Sequence, residues 1–309
     1  MNDFEVTILG CGSATPSLLR NPSAQLLNAA GHYFLIDCGE GTQIQLRRNN
    51  IKIQRISHVF ISHLHGDHYL GLLGLLQTMH LLGRQTKLIL VCPPELKEII
   101  ELQNKYSQTT IVYEIEYIFT NPKQAELIWE DDKIEIKTFP LRHRINCTGF
   151  LFKEKPHPKN ISKEKLAQFK IPVSEINKLK LGLDAIDEKG EIIANDKVTL
   201  PAQPQRSYAY CSDTNYFEDI IEHIKNVDLV YHEATFLEAE AERAKKTFHS
   251  TAIQAATIAT KANVKQLLLG HFSARYGNTD GFIIEAKPVF ENTLVAQEGS
   301  TYKIVNYAI

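Results

Sequence analysis

The sequence lacks the features of a secreted or membrane protein. Its cysteines are odd in number and widely spaced, and none of them forms a CxxC pair (Cys11, Cys38, Cys92, Cys147 and Cys211). This usage is typical of a reducing compartment rather than of a disulfide framework. The first residues lack the basic start of a signal peptide, and the leucine-rich stretch 69–83 is too short and too polar to span a bilayer. We therefore expect a cytoplasmic protein that does not enter a membrane.

The chain also lacks an excess of charge of either sign. Its formal net charge is −2 over 309 residues, of which 43% are hydrophobic and 23% are charged. This composition describes an ordinary globular protein with enough length for a full core, and it argues against a nucleic-acid binder that is basic overall. A local basic patch that binds nucleic acid remains compatible with it.

A dense group of metal-binding residue types occupies residues 62–68 (SHLHGDH). Three histidines and one aspartate follow the apolar run 59–61 directly, and a helical apolar pattern begins at residue 69. Imidazole and carboxylate groups together suit zinc or a similar divalent ion. One ion rarely takes four ligands from so short a stretch, so we expect two half-sites, His63 with His65 and Asp67 with His68. The alternative is a polar loop with chance histidines.

Short strands alternate with helices along most of the chain, which predicts an α/β fold. The pattern predicts strands at 32–37, 56–62 and 208–211, for example, and a helix at 281–292. Asp37 ends one of these strands and is either a metal ligand or an acceptor that orients a histidine; we favour the acceptor. The glycine-rich loop 10–16 favours a tight turn beneath an active site over a phosphate cradle, because no Gly-Lys-Ser/Thr follows it.

Further candidate ligands lie just beyond other apolar strands. Adjacent strand ends gather at one edge of an open α/β sheet, where ligands usually bind. A lone histidine at a strand end is more often a packed or capping residue, but several such positions beside HxHxDH favour metal ligation. The set divides between two ions, with one group of His63, His65 and His143, a second group of Asp67, His68 and His271, and Asp213 as the bridge.

The composition changes between residues 153 and 206. Eight lysines face three glutamates in residues 153–180, and proline and glycine punctuate the whole stretch. A run of charge is usually a solvated surface, which is the simplest interpretation. A loop of this length inside a compact domain nevertheless often carries a role. We interpret residues 153–206 as an inserted basic arm.

These motifs together resemble a known family. HxHxDH with the later histidines and aspartate resembles the metallo-β-lactamase superfamily of binuclear zinc hydrolases. The successive motifs at 140–143 (PLRH), 212–214 (SDT), 232–235 (HEAT), 249–251 (HST) and 270–276 (GHFSARY) are similar to those of ribonuclease Z, the tRNA 3′-processing endoribonucleases. The likeness covers nearly the whole chain. This sequence departs from the family pattern in two places. Leu18 stands where the family commonly has lysine, and the arm lacks a Gly-Pro-rich tip.

The resemblance implies a fold, a reaction and partners. The fold would be the four-layer αββα sandwich, a single domain over residues 1–309 with the arm at 153–206 as the tRNA-binding exosite. The protein would hold two Zn²⁺ per chain and remove 3′ trailers from precursor tRNA by attack of a metal hydroxide on a phosphodiester, which leaves a tRNA 3′-OH. The family commonly forms homodimers in which the arm of one subunit serves the site of the other.

The same motifs suggest roles for individual residues. Asp67 is the candidate general base, and His249 is the candidate partner of the leaving 3′ oxygen. Glu233 could hold the His249 imidazolium, as in a carboxylate–histidine pair, or could be a capping or surface residue. The expected substrate contacts are Arg20, Arg275, Lys178 and Lys180, although a surface ion pair would also explain Arg275.

Two other functions fit parts of the sequence. A small-molecule phosphodiesterase or thioesterase of the same fold would explain the metal ligands but would leave the arm without a purpose. An RNA-binding or scaffolding protein with an inactive site would explain the arm, but the intact set of candidate ligands argues against it.

Overall fold

The computed structural model describes residues 3–305, which form two large sheets. The first sheet has seven strands in the order β18-β1-β2-β3-β4-β5-β6. Its strands are β1 (Phe4–Gly10), β2 (Ala24–Ala29), β3 (His32–Cys38), β4 (Ile56–Phe60), β5 (Leu88–Cys92), β6 (Ile115–Phe119) and β18 (Thr301–Lys303). The strands from β3 to β6 run parallel, so their carboxyl ends lie along one edge of the sheet.

The second sheet also has seven strands, in the order β17-β16-β15-β14-β9-β8-β7. Its strands are β7 (Glu126–Glu130), β8 (Ile134–Leu141), β9 (Cys147–Glu154), β14 (Ser207–Cys211), β15 (Leu229–Glu233), β16 (Gln266–Gly270) and β17 (Thr293–Val295). The strands from β14 to β17 are parallel, whereas β7, β8 and β9 are antiparallel neighbours. The ends of β14, β15 and β16 therefore also share one edge.

The two sheets pack face to face through aromatic side chains. Phe34 of β3 lies 5.4 Å from Phe152 of β9 between ring centroids, and Phe60 of β4 lies 5.2 Å from Phe150. Alternate residues of a strand point to opposite faces, so Leu35 instead joins the cluster under the outer helices. These helices are α1 (Thr42–Arg48), α2 (Gly66–Leu81) and α3 (Glu95–Tyr106).

Short helices cover the other face of the second sheet. They are α7 (Ile221–Ile224), α8 (Ala241–Thr247), α9 (Ala252–Lys261) and α10 (Asp280–Ala286). Thr251 caps α9 in a reciprocal pair with Gln254. The predicted α/β fold and its αββα layering are confirmed. The predicted helix at 281–292 is wrong beyond Ala286, because Pro288 lacks the amide hydrogen that would continue the helix.

Residues 153–206 leave the second sheet between β9 and β14 and form a small substructure. Its elements are β10 (Asn160–Ile161), α4 (Lys163–Gln168), α5 (Ile176–Lys180), β11 (Ala185–Ile186), β12 (Ile192–Ile193), α6 (Asn195–Val198) and β13 (Thr199–Leu200). A separate hydrophobic cluster around Leu179 and Val198 holds them together. Lysines crowd residues 153–180, whereas the hairpin of β11 and β12 is rich in aspartate and glutamate. The arm is therefore basic on one part only.

None of the helices in residues 3–305 is long and apolar enough to cross a membrane.

Candidate metal centre and proton relay

The first group of candidate ligands forms where β4 and β8 end. The chain leaves β4 at Phe60, and the following loop carries His63 and His65 to the start of α2. His65 Nδ1 lies 3.2 Å from His63 Nε2 and 3.1 Å from His143 Nε2. Asp213 completes this group, with Oδ2 3.6 Å from His63 Nε2 and 3.8 Å from His143 Nε2. The structure thus brings together the four residues that the sequence predicts for one ion.

The second group lies directly beside the first. Asp67 Oδ2 is 3.4 Å from His68 Nε2 and 3.3 Å from His271 Nε2. Asp213 Oδ1 is 3.3 Å from His68 Nε2 and 3.1 Å from His271 Nε2. Asp213 is therefore common to both groups, which is the position of a bridging carboxylate. His271 follows β16 with a φ of 60°, a strained left-handed conformation for a residue with a Cβ.

Hydrogen bonds from the outer ring nitrogens fix how three histidines point. The Nδ1 atom of His68 donates to Asp37 Oδ2 at 2.7 Å, and that of His143 donates to the Phe248 carbonyl at 2.8 Å. The Nδ1 atom of His271 lies 2.9 Å from the Thr235 hydroxyl. With the proton on Nδ1, the lone pair of each Nε2 points into the cluster.

Asp37 is thus an acceptor that orients a histidine, as we favoured from the sequence. It also accepts hydrogen bonds from the Ser62 amide at 2.8 Å and from the Tyr210 hydroxyl at 2.7 Å.

The inward-facing atoms fit a pair of divalent cations. Nε2 of His68 and Nε2 of His271 face each other at 3.3 Å, and two lone pairs at this distance repel unless a proton or a metal cation lies between them. Asp213 Oδ1 is buried and receives no hydrogen bond from residues 3–305. Neutral imidazoles and carboxylates are the donor set of zinc and related metals. Binding of metal ions is therefore the role that this cluster supports.

Three histidines of the cluster have the charge state that this role needs, whereas burial of a fourth, His68, is outweighed by the adjacent Asp213, Asp67 and Asp37, which raise its pKa. Burial lowers the pKa of His63, His65 and His143, so these imidazoles are neutral at pH 7, the form that binds metals. Burial alone would raise the pKa of Asp213, but the adjacent His271 and His68 hold it well below its usual range. Asp213 is therefore a carboxylate.

A hydrogen-bonded pair of Glu233 and His249 lies next to the second group. Glu233 is the buried last residue of β15, and its Oε1 accepts a hydrogen bond from His249 Nδ1 at 2.9 Å. Its Oε1 also accepts from the amides of Thr214 and Ser250 at 3.1 Å, and its Oε2 accepts from the Thr235 amide and hydroxyl at 2.9 Å. Five donors therefore hold this carboxylate in place.

The carboxylate of Glu233 keeps His249 protonated. Burial would lower the pKa of His249, but the charge and the hydrogen bond of Glu233 raise it to about 9. Burial would likewise raise the pKa of Glu233, whereas His249 lowers it. Glu233, His249 and His271 are close enough to suggest another metal site, but the donors on Glu233 already occupy its oxygens. The pair is therefore a candidate proton relay and not a third metal site.

The two groups and the relay open into one cleft of about 350 Å³. Its walls are Ala14, Pro16, Pro22, Glu40, His65, Gly66, Asp67, Leu70, Arg144, Asp213, His249 and His271. The glycine-rich loop forms one wall as a tight turn, in which the Ala14 amide donates to Asp67 Oδ2 at 2.7 Å. Leu18, two residues beyond this loop, is fully exposed. The cleft gives a substrate access to the centre of the cluster.

The residues predicted to bind substrate do not line this cleft. Arg20 donates to the Tyr276 carbonyl at 2.9 Å, and its guanidinium lies 5.6 Å from the centroid of Phe272. Arg275 is exposed nearby, whereas Lys178 and Lys180 are exposed on α5 of the arm. Lys178 pairs with Glu175 at 2.9 Å. Sequence reasoning missed Arg144, because Arg142 flanks the candidate ligand His143 in the same way and the sequence does not distinguish the two.

Two sequence-family models match the chain. One, described as Anti-Pycsar protein Apyc1, matches residues 4–158, and the other, described as a beta-lactamase superfamily domain, matches residues 198–272. Neither match covers residues 159–197, most of the arm. The solved structure of human tRNase Z, short form, is 27% identical with a TM-score of 0.70, and the match covers 98% of this chain and 100% of that one. The metallo-β-lactamase fold protein YhfI from Bacillus subtilis is 19% identical with a TM-score of 0.69, and the match covers 98% of this chain and 100% of that one.

The fold and the site therefore define a member of the metallo-β-lactamase superfamily. Curated relatives are similar over nearly the full length. Ribonuclease Z of Bacteroides thetaiotaomicron is 46% identical, covering 99% of this chain and 97% of that protein, and ribonuclease Z of Cytophaga hutchinsonii is 48% identical, covering 98% and 96%. The chain belongs to the ribonuclease Z family and is an endoribonuclease. The resemblance seen in the sequence is confirmed.

Proposed function

We propose that this endoribonuclease removes 3′ trailers from precursor tRNA and leaves a 3′-OH on the tRNA. The observation that carries the proposal is the pairing of two His/Asp groups, joined by Asp213, with the Glu233–His249 relay in one open cleft. This combination suits hydrolysis of a phosphodiester whose leaving group is a poor one. The family membership supports RNA as the substrate.

Seven residues would hold two Zn²⁺ ions. They are His63, His65, His143, Asp67, His68, His271 and the shared Asp213. When bound, the ions would polarise the phosphodiester and make an attacking water more acidic.

The remaining steps belong to side chains of this chain. Asp67 borders the cleft and would accept a proton from the attacking water. As the new bond to phosphorus forms, the bond from phosphorus to the 3′ oxygen breaks, and the trailer keeps the 5′-phosphate. His249 would donate its proton to the departing 3′ oxygen. Glu233 would keep His249 charged and correctly oriented, and is in this sense a positioning residue.

The arm at 153–206 would hold the body of the tRNA through phosphate contacts. Lys178 and Lys180 lie exposed on its basic part and would make such contacts, which predicts binding that weakens with salt. Arg20 and Arg275 would approach RNA at the rim of the cleft. We further propose a cytoplasmic homodimer, in which the arm of one subunit serves the site of the other. Sedimentation of the purified protein tests the dimer.

The decisive experiment is incubation with a 3′-extended tRNA transcript and mapping of both product ends. We expect a tRNA that ends in a 3′-OH and a trailer that begins with a 5′-phosphate. Products with the phosphate on the tRNA side, or cuts spread along the transcript, would contradict the proposed reaction.

Removal of the arm separates this function from the small-molecule alternative. Ser207 pairs with Lys153, and the Glu154 amide donates to the Arg206 carbonyl at 2.9 Å, so the arm leaves the sheet between neighbouring strands. An Asn-Gly turn can therefore replace residues 155–205. We expect this variant to hydrolyse bis(p-nitrophenyl) phosphate normally and to cleave precursor tRNA with a much higher KM. An unchanged KM for the tRNA would show that the arm does not contribute to substrate binding.

A further inference from the structure

Among the described residues that line the cleft, Arg144 is the only one with a permanent positive charge. It is exposed, and within residues 3–305 no carboxylate lies within ion-pairing distance of it. The other charged lining residues are carboxylates or histidines, with Glu40, Asp67 and Asp213 as the carboxylates. Because the Arg144 guanidinium forms no ion pair within residues 3–305, it is available to bind an anionic group of a ligand in the cleft.

The backbone around Arg144 is fixed by hydrogen bonds to other loops of the site. The Arg142 amide donates to the Thr214 hydroxyl at 3.1 Å, and the Arg142 carbonyl accepts from the Asn215 amide at 2.7 Å. His143 is held by its bond to the Phe248 carbonyl. The stem of Arg144 therefore begins at a fixed point one residue from a candidate metal ligand, while its head reaches into the cleft.

We propose that Arg144 binds a backbone phosphate next to the scissile phosphate and so selects a polynucleotide over a small diester. This inference rests on the proposed function. The scissile phosphate would occupy the His/Asp groups, and RNA carries a further phosphate on each side of it. A guanidinium offers a planar pair of donors that matches two phosphate oxygens. A diester with a single phosphate has nothing for Arg144 to hold.

Arg142 provides a matched control on the same loop. It is also an exposed arginine, but its guanidinium lies 5.1 Å from the ring centroid of Phe217 and it does not line the cleft. Both R142Q and R144Q therefore remove a positive charge near the site. Only R144Q removes a charged hydrogen-bond donor from the cleft.

The first measurement compares both variants on two substrates. For R144Q we expect kcat/KM on 3′-extended tRNA to fall about 10- to 100-fold, the usual value of a charge-assisted hydrogen bond, with hydrolysis of bis(p-nitrophenyl) phosphate within about twofold of wild type. The dependence of log KM on log salt should flatten by about 0.7, as for one lost phosphate contact on a single strand. R142Q should change neither activity by more than about threefold.

The second measurement locates the phosphate. Neutral methylphosphonates are placed one at a time at the phosphates on either side of the scissile bond. One of these positions should slow the wild-type enzyme about as much as R144Q does, and should slow R144Q no further. The proposal would be overturned if, at each of the two positions, a methylphosphonate slowed R144Q as much as it slows wild type. It would also be overturned if R144Q lost equal activity on both substrates. Wild-type protein that leaves the tRNA uncut would refute the proposed function, whereas an R144Q variant as active as wild type refutes the role of Arg144 alone.

Discussion

Replacing Glu233 by glutamine tests the proton relay with a change of one atom. The carboxylate accepts five hydrogen bonds, three on Oε1 and two on Oε2. A glutamine that keeps its carbonyl toward His249 must turn its amide group toward the Thr235 amide. Two donors then face each other, and one buried N–H is left without an acceptor. We expect this to cost about 1–3 kcal/mol of folding free energy, which a stable protein tolerates.

The effect on catalysis should be larger and should depend on the leaving group. Without the charge of Glu233, the pKa of His249 falls from about 9, and the imidazolium is less available to protonate the 3′ oxygen. Loss of general acid catalysis typically costs about 10²- to 10⁴-fold in rate. p-Nitrophenolate leaves without a proton, so E233Q should hydrolyse bis(p-nitrophenyl) phosphate within about tenfold of wild type.

The assay is therefore kcat on 3′-extended tRNA and on the activated diester, with the metal content measured on the same samples. E240Q is the control, because Glu240 is partly exposed and pairs with Arg243 on the surface. Equal losses on the two substrates would show that Glu233 does not act through the leaving group. Loss of metal from E233Q would show that its role is in holding the cluster instead.

Three further predictions concern the metal groups and the neck of the arm. Asp67→Ala should lower kcat on tRNA at least about 10³-fold and weaken one of two metal sites, as measured by equilibrium dialysis. An unaltered kcat would show that Asp67 is neither the general base nor a metal ligand. Chelation should lower Tm, and added zinc should restore it, because ions that bind the folded state stabilise it. Arg206→Met should cost about 1–3 kcal/mol in urea unfolding at pH 7, because the buried Glu154 loses both guanidinium donors and keeps the Arg206 amide and His157. Burial would raise the pKa of Glu154, but Arg206 lowers it. The stabilisation by this pair is therefore present above about pH 4.3 and is lost as the pH falls through the folded-state pKa. The free energies of unfolding of wild type and variant should accordingly converge in acid.

The candidate ligands could be predicted from the sequence because local rules determine where they lie. His63, His65, Asp67 and His68 depend on one strand, one turn and one helix, all short-range features. His143, Asp213 and His271 each follow an apolar strand, and the common edge of strand ends brings them together. Neither inference requires knowledge of which strands are neighbours.

The contacts that orient these ligands could not be predicted in the same way. Asp37 reaches Tyr210 across the interface of the two sheets, and the Phe248 carbonyl reaches His143 from the end of α8. Both contacts depend on tertiary packing, which periodicity does not encode. Arg144 was overlooked for a related reason, since only the folded cleft distinguishes it from Arg142.

The separation of the candidate ligands along the chain has a consequence for synthesis. His63 emerges from the ribosome 208 residues before His271, which at about 5–20 residues per second is an interval of about 10–40 s. Asp213 and His271 come from the second sheet, 150 and 208 residues after His63. The early histidines therefore lack Asp213 for most of this interval and lack His271 for all of it. The complete set of donors is available only once His271 has been made. Completion of the two His/Asp groups is therefore a late event in the synthesis of the chain, and a nascent chain that stops before Asp213 completes neither group.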